Sequence, residues 1–274
     1  MNYRHAYHAG NFADVLKHIV LLKCVEYLQR KIGPLCLIDT HAGAGLYPLD
    51  SEEAAKTREW EKGIGCLLGN GNAPVQLKLY LDAVSDDLGA LRYPGSPLLL
   101  ARHLRPQDRL LASELHEPAF EALRDLLQRY ENARAMHLDA YQCIRANIPP
   151  KERRGLVLID PPFEQKNEFE ILARQMGEWR KRWATGVYVI WYPIKAHLPV
   201  EALKDAARRL SFPRTWSLEI LVLPRNQPDT LNGCGLIVFN APFTAPEQVE
   251  ALLPFLKGAM NLHGVAADWL TPGM

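Results

Sequence analysis

A chain of 274 residues with 48% hydrophobic and 23% charged residues has the composition of a folded globular protein, long enough to bury a sizeable core. Its net charge of +1 argues against a protein that coats nucleic acid nonspecifically, while leaving room for a local basic patch. No apolar run approaches the roughly 20 residues that cross a bilayer, Met1-Asn2-Tyr3-Arg4-His5 lacks an apolar signal core, and five scattered cysteines never fall in Cys-x-x-Cys spacing, so a cytoplasmic protein with reduced thiols and no metal is expected.

Residues 1–10 are dense in aromatic and imidazole side chains: Tyr3, His5, Tyr7 and His8 precede Gly10. Asn11 is suited to cap a helix in which Phe12, Val15, Leu16, Ile19 and Leu22 recur at helical spacing, and Gly33-Pro34 marks its expected end. Asp14 and His18, four apart, share the more polar side of that helix. No acid or cysteine lies close in sequence to His5 and His8, so these two do not suggest a metal site. Residues 35–39 read as a buried strand ending at Asp39. The following Thr40-His41-Ala42-Gly43-Ala44-Gly45 is small enough for the backbone to bend and approach a ligand. The pattern then changes. Asp50 with Glu53 resembles a capping box, and Leu77, Tyr80, Leu81, Val84 and Leu88 outline a helix. The expectation is a helical insertion at 46–92 within a domain formed by 1–45 and 93–274.

Tyr93-Pro94-Gly95-Ser96-Pro97 turns the chain into an apolar helix at 98–104. A strand at 109–114 ends in Glu114, a helix follows at 118–130, and a weak strand ends at Leu138-Asp139. The apolar strand at 156–159 stops at Asp160, because neither Pro161 nor Pro162 can donate a ladder hydrogen bond. A helix near 168–182, a strand at 186–193, a helix at 200–210, consecutive strands at 218–223 and 235–240, and an amphipathic helix from 246 to about 257 complete the pattern. Alternating strands and helices imply a parallel sheet covered on both faces, and the closing strand pair implies an antiparallel edge. No internal repeat or low-complexity tract is present, and the basic clusters at 151–154, 180–182 and 208–209 read as solvated faces.

Four strands thus end in or beside a carboxylate: Asp39, Glu114, Asp139 and Asp160. In an open α/β sheet, ligands bind beyond the carboxyl ends of the strands. A rim of acids is poor for an anion and suits a positive centre, ribose hydroxyls and an adenine amine, all of which S-adenosylmethionine carries. Asp39-x-His41-x-Gly43-x-Gly45 resembles the D-x-G-x-G-x-G loop of class I methyltransferases, with His41 replacing the first glycine. Glu114 lies 69 residues beyond Gly45, but leaving out the insertion reduces this to 22, near the roughly 20 expected of a ribose-binding acid. Asp160-Pro161-Pro162-Phe163 resembles the D/N-P-P-Y/F motif of methyltransferases acting on planar nitrogens. Hydrogen bonds from an exocyclic amine to the Asp160 carboxylate and Pro161 carbonyl would free its lone pair, while Phe163 stacks on a flipped or single-stranded base.

The opening Tyr3-Arg4-His5-Ala6-Tyr7-His8-Ala9-Gly10-Asn11-Phe12 and onward to His18 resembles that of the bacterial RlmJ family. So do the stretches 39–45, 93–97, 114–116, 154–163 and 184–188. The resemblance implies a Rossmann-like class I fold with a small inserted helical subdomain, and adenine-N6 methylation of 23S ribosomal RNA with S-adenosylmethionine. It further implies cofactor contacts at His18, His41, Gly43, Ser96, Glu114, Asp139, Ala140 and Asp160, catalytic roles for Asp160, Pro161 and Phe163, and RNA contacts at Tyr3 and Phe163, in a monomer. Two positions depart from the family pattern: Phe163 stands where relatives often have Tyr, and Ala140 where Gly is often found. A noncatalytic RNA-binding assembly factor, or a methyltransferase for DNA adenine or protein glutamine, are the alternatives that the residues themselves leave open.

Overall fold

Asn11 starts the first helix, α1 (Phe12–Leu28), by accepting the amides of Ala13 and Asp14 with its side chain. Every residue from Ala13 to Val25 is buried, so the more polar side that carries Asp14 and His18 faces the interior rather than water. Asp14, Lys17 and His18 are drawn inside together with their partners. The helix stops at Leu28 rather than at Gly33-Pro34, because Arg154 donates to the Leu28 carbonyl (2.6 Å) and Arg105 to that of Gln29 (2.9 Å). The computed structural model describes residues 4–271, so Tyr3 lies outside the described residues.

The chain continues through β1 (Cys36–Asp39), β2 (Leu46–Pro48), α2 (Glu52–Thr57), α3 (Glu59–Lys62), α4 (Lys78–Gly89) and β3 (Arg92–Pro94). Then follow α5 (Ser96–Arg102), β4 (Arg109–Glu114), α6 (Glu117–Leu127), β5 (Ala133–His137), α7 (Ala140–Asn147), β6 (Gly155–Ile159) and α8 (Glu168–Arg182). The last part holds β7 (Val187–Ile194), α9 (Val200–Arg209), β8 (Thr215–Leu221), β9 (Gly233–Phe239), α10 (Ala245–Glu250), α11 (Leu253–Ala259) and β10 (Gly264–Thr271).

Eight strands form one sheet in the order β10-β8-β9-β7-β6-β1-β4-β5. The run from β5 to β7 is parallel, with Asp39 level with Ala112 of β4 and Leu158 of β6. Chain order reverses between β1 and β6, which opens a crevice at their carboxyl ends. This is the Rossmann-like, doubly wound α/β arrangement expected. Alternate residues feed two cores. Leu37, Leu110 and Leu156 pack under α1 on one face, while Ile38, Leu111 and Val157 face α8 on the other. The antiparallel element is more extensive than expected: β9 runs between β7 and β8 inside the sheet, and β10 forms the edge. The expected C-terminal helix is two short ones, α10 and α11.

Residues 46–92 leave and re-enter through the antiparallel pair β2–β3. Ser51, not Asp50, caps α2 by accepting the Ala54 amide (3.2 Å). This segment grips the N-terminal residues. Thr57 donates to the Tyr7 carbonyl (2.5 Å), the Ile64 amide donates to that of Gly10 (2.9 Å), and Glu59 meets both His8 (3.0 Å) and the Asn11 amide group (2.9 Å). Gly63 is required here, since a Cβ would stand 2.1 Å from the Gly10 oxygen. Among the described residues no helix is long and apolar enough to cross a membrane.

Candidate active site

The loop after β1 turns through Gly43 (φ 62°) and Gly45 (φ 79°), a left-handed backbone that glycine adopts freely. The Ala44 amide donates to the Tyr47 hydroxyl (3.0 Å), which leaves no room for a side chain at Gly43. Glu114, at the end of β4, holds this loop against its own: one carboxylate oxygen accepts the Gly43 amide (2.8 Å) and the other the His116 amide (2.7 Å). Each oxygen retains a further lone pair for a ligand hydroxyl. Asp139 caps α7, accepting the Gln142 amide (3.0 Å), and the buried Ala140 follows it. Asp39 does not join this rim. It is wholly buried beneath the loop, and neither carboxylate oxygen completes a hydrogen bond. Burial pushes its pKa up to about 6, although Ser96 and the His41 amide pull the other way. The expected four-acid rim is therefore three acids over a fourth.

Asp160 leaves β6 at the border of the crevice and meets an unexpected partner from α1. The Lys17 ammonium lies 2.5 Å from Asp160 and 2.8 Å from Asp14, with its side chain only 6% exposed. Asp14 in turn accepts from His5 (2.9 Å) and the Gly10 amide (3.0 Å). Burial opposes both charges, yet His5 and Lys17 hold Asp14 well below the usual carboxylate range, and Asp14 and Asp160 hold Lys17 well above the usual lysine range. His5 and His8 thus do have acids nearby in space, Asp14 and Glu59. Each acid serves one imidazole, and no cluster able to hold a metal occurs among the described residues.

Two further histidines are neutral. Burial takes His18 down to about 3 against the pull of Asp14, and its Nδ1 shares a hydrogen with the Tyr93 hydroxyl (2.8 Å). Its Nε2 is buried and unpaired. His41 is lowered to about 4 by burial, and its Nδ1 accepts the Asp160 amide (3.3 Å). Phe163 turns through a left-handed backbone (φ 50°) and sets its ring 4.9 Å from Phe169 and 5.8 Å from Trp191.

These groups share one cavity of about 1100 Å³. His18, His41, Gly43, Ser96, Glu114, Asp139, Ala140, Asp160, Pro161 and Phe163 all line it. Lys17, Asp14, His5 and Tyr47 line it as well, and sequence reasoning did not assign them. The signal available for Lys17 was the cluster of three ionisable residues, Asp14, Lys17 and His18, among the apolar residues of the first half of the helix.

A family profile described as ribosomal RNA large subunit methyltransferase D, RlmJ, matches residues 33–271. The chain belongs to this family. The ribosomal RNA large subunit methyltransferase J of Escherichia coli (strain K12) is 37% identical over 278 residues, covering 99% of each chain. The Haemophilus influenzae protein of the same name is 37% identical over 279 residues, again covering 99% of each. The crystal structure of a Legionella pneumophila protein superposes with a TM-score of 0.87 at 32% identity, covering 95% of this chain and 97% of that one. RlmJ membership and the strand order together make the sheet that of a class I methyltransferase.

Proposed function

We propose that this RlmJ-family methyltransferase transfers a methyl group from S-adenosylmethionine to the exocyclic N6 of an adenine in 23S ribosomal RNA. The observation that carries the reading is Asp160-Pro161-Pro162-Phe163, held by a buried lysine in the same cavity as Glu114 and Asp139. The cofactor fits the residues present. Glu114 would accept ribose hydroxyls, Asp139 and the Ala140 backbone would meet the adenine, and the unpaired Nε2 of His18 would meet a polar group that enters its buried corner. Bound there, the cofactor supplies an electrophilic methyl on a sulfonium.

The chain's own residues prepare the nucleophile. Asp160 and the Pro161 carbonyl accept the two N6 hydrogens, which favours a pyramidal nitrogen with its lone pair directed at the methyl group. Lys17 fixes the Asp160 carboxylate in place through a charge-assisted hydrogen bond. Phe163 stacks on the base, which must leave its helix to enter. His18 and His41, both lowered by burial, would add no positive charge to a cavity that is to hold a sulfonium. Residues 46–92 serve as a subdomain that fixes the N-terminal segment over the cavity, and the enzyme works as a cytoplasmic monomer.

The test is transfer of labelled methyl to unmodified, transcribed 23S rRNA, with mapping of the methylated adenine. Asp160→Ala should abolish transfer; robust transfer by that variant would sink the assigned role.

A further inference from the structure

We propose that Lys166 and Lys195 form a cationic docking surface for the RNA phosphates that flank the target adenosine. The inference rests on the RNA-methylation reading and adds to it the surface that holds the substrate backbone.

The cavity is divided by charge. Its cofactor half carries Glu114 and Asp139, and Asp160 with Lys17 marks the border. The lining also includes the apolar Phe163, Trp191, Pro193 and Leu231, with the Phe163 ring 5.8 Å from that of Trp191, and the exposed Lys166, Lys195 and His197. Of the acids at this end, Glu168 is buried and accepts from Tyr141 (3.0 Å), while Glu164 stands exposed two residues before Lys166. A single small-molecule site occupies about 300–1,000 Å³. A cavity of about 1100 Å³ lies at the top of that range, and its apolar lining offers faces for a second planar ring.

Lys166 and Lys195 are both exposed, and neither pairs with a carboxylate among the described residues. Lys17, Lys23, Lys78, Lys181 and Lys204 each hold an acid. Of the lysines without an ion pair among the described residues, Lys166 and Lys195 are the ones that line the cavity, on the loops that leave the adjacent parallel strands β6 and β7. A nucleotide whose base enters the apolar slot leaves its neighbouring phosphates at that mouth. With a net charge of only +1 the protein as a whole exerts little pull on RNA, so attraction must come from such a local surface. Ammonium groups meet phosphates as point charges and read no sequence, so this surface positions the strand while the slot selects the base.

The test uses the full-length double variant K166Q/K195Q and transcribed 23S rRNA. Both side chains are exposed, and unchanged S-adenosylmethionine affinity by calorimetry verifies that the cavity is intact. The plot of log binding constant against log salt should become shallower by about 1.4, at about 0.7 per single-strand phosphate contact. KM for RNA should rise on the order of tenfold at about 0.15 M salt with kcat held within about twofold, and K166R/K195R should keep the wild-type slope. A double variant with wild-type slope and KM overturns the proposal, as does a fall in kcat alone. If the wild-type protein transfers no methyl yet the variant still loses salt slope, the surface stands and the methylation reading fails.

Discussion

Asp39→Asn removes a charge from the molecule's least favourable place and keeps the side chain's shape. The carboxylate is wholly buried, completes no hydrogen bond, and has its pKa raised from 3.8 to about 6. A shift of about two units is worth about 3 kcal/mol, at about 1.4 kcal/mol each. The sign follows from proton binding. Between pH 4 and pH 6 the folded protein keeps a proton that the unfolded chain has lost, so stability falls as pH rises through that window and stays lowered above it. Urea unfolding of both proteins at pH 4, 5, 6 and 7 isolates this group, because the other titrations cancel in the difference. The asparagine variant should gain about 3 kcal/mol relative to wild type between the two ends, with the change complete by about pH 6.5. A difference that is constant from pH 4 to 7 refutes the reasoning, since it would mean that the folded carboxyl titrates like an unfolded one.

Lys17→Met leaves Asp14 and Asp160 without their shared cation, and should cost about 3–5 kcal/mol in denaturant unfolding along with a loss of methyl transfer of 100-fold or more in single-turnover assays. His18 and His41, held at about 3 and about 4, should both remain neutral from pH 5 to 8 by imidazole nitrogen NMR. A midpoint near the ordinary 6.5 in either would count against the desolvation argued for it. Gly43→Ala places a methyl 2.1 Å from the Tyr47 hydroxyl on a left-handed backbone, and calorimetric melting should show a loss of about 2–4 kcal/mol. Adding Tyr47→Phe should relieve the clash and leave the backbone part, about 1 kcal/mol, together with about 1 kcal/mol for the lost Ala44–Tyr47 hydrogen bond.

The parts of the fold legible in the sequence were those whose signals are local. The strand ending at Glu114 and the helix at 168–182 keep their expected bounds, because apolar spacing and the flanking breakers agree there. The end of α1 was misplaced because its last carbonyls are capped by Arg105 and Arg154, whose arrival no local pattern announces. β10 went unread because it is an edge strand with Ala266, Asp268 and Trp269 facing out and little apolar alternation to mark it. α7 is only eight residues long and sits between two strands. In the site, the loop after β1, Glu114, Asp139 and the Asp-Pro-Pro-Phe turn each announce themselves within a few residues. Asp39 looked like its fellow strand-end acids, and only packing around Ser96 and the glycine loop sets it below them. Lys17 was out of reach for a different reason, since its partner stands 143 residues away.

That separation bears on how the protein is made. α1 precedes most of the groups that complete its polar contacts: Asp14 meets Lys17 within the helix, but Tyr93 reaches His18 after 75 residues, Asp160 reaches Lys17 after 143, and Arg154 reaches the Leu28 carbonyl after 126. A lysine and a histidine set among Leu16, Ile19 and Val20 cannot be sealed into a half-built core without stranding polar groups. Helix α1 is therefore among the last elements to be locked in place, and its locking brings Lys17 to Asp160. Nascent chains released before β6 has emerged should leave α1 open to protease, whereas the finished chain shuts it away in the same step that completes the site.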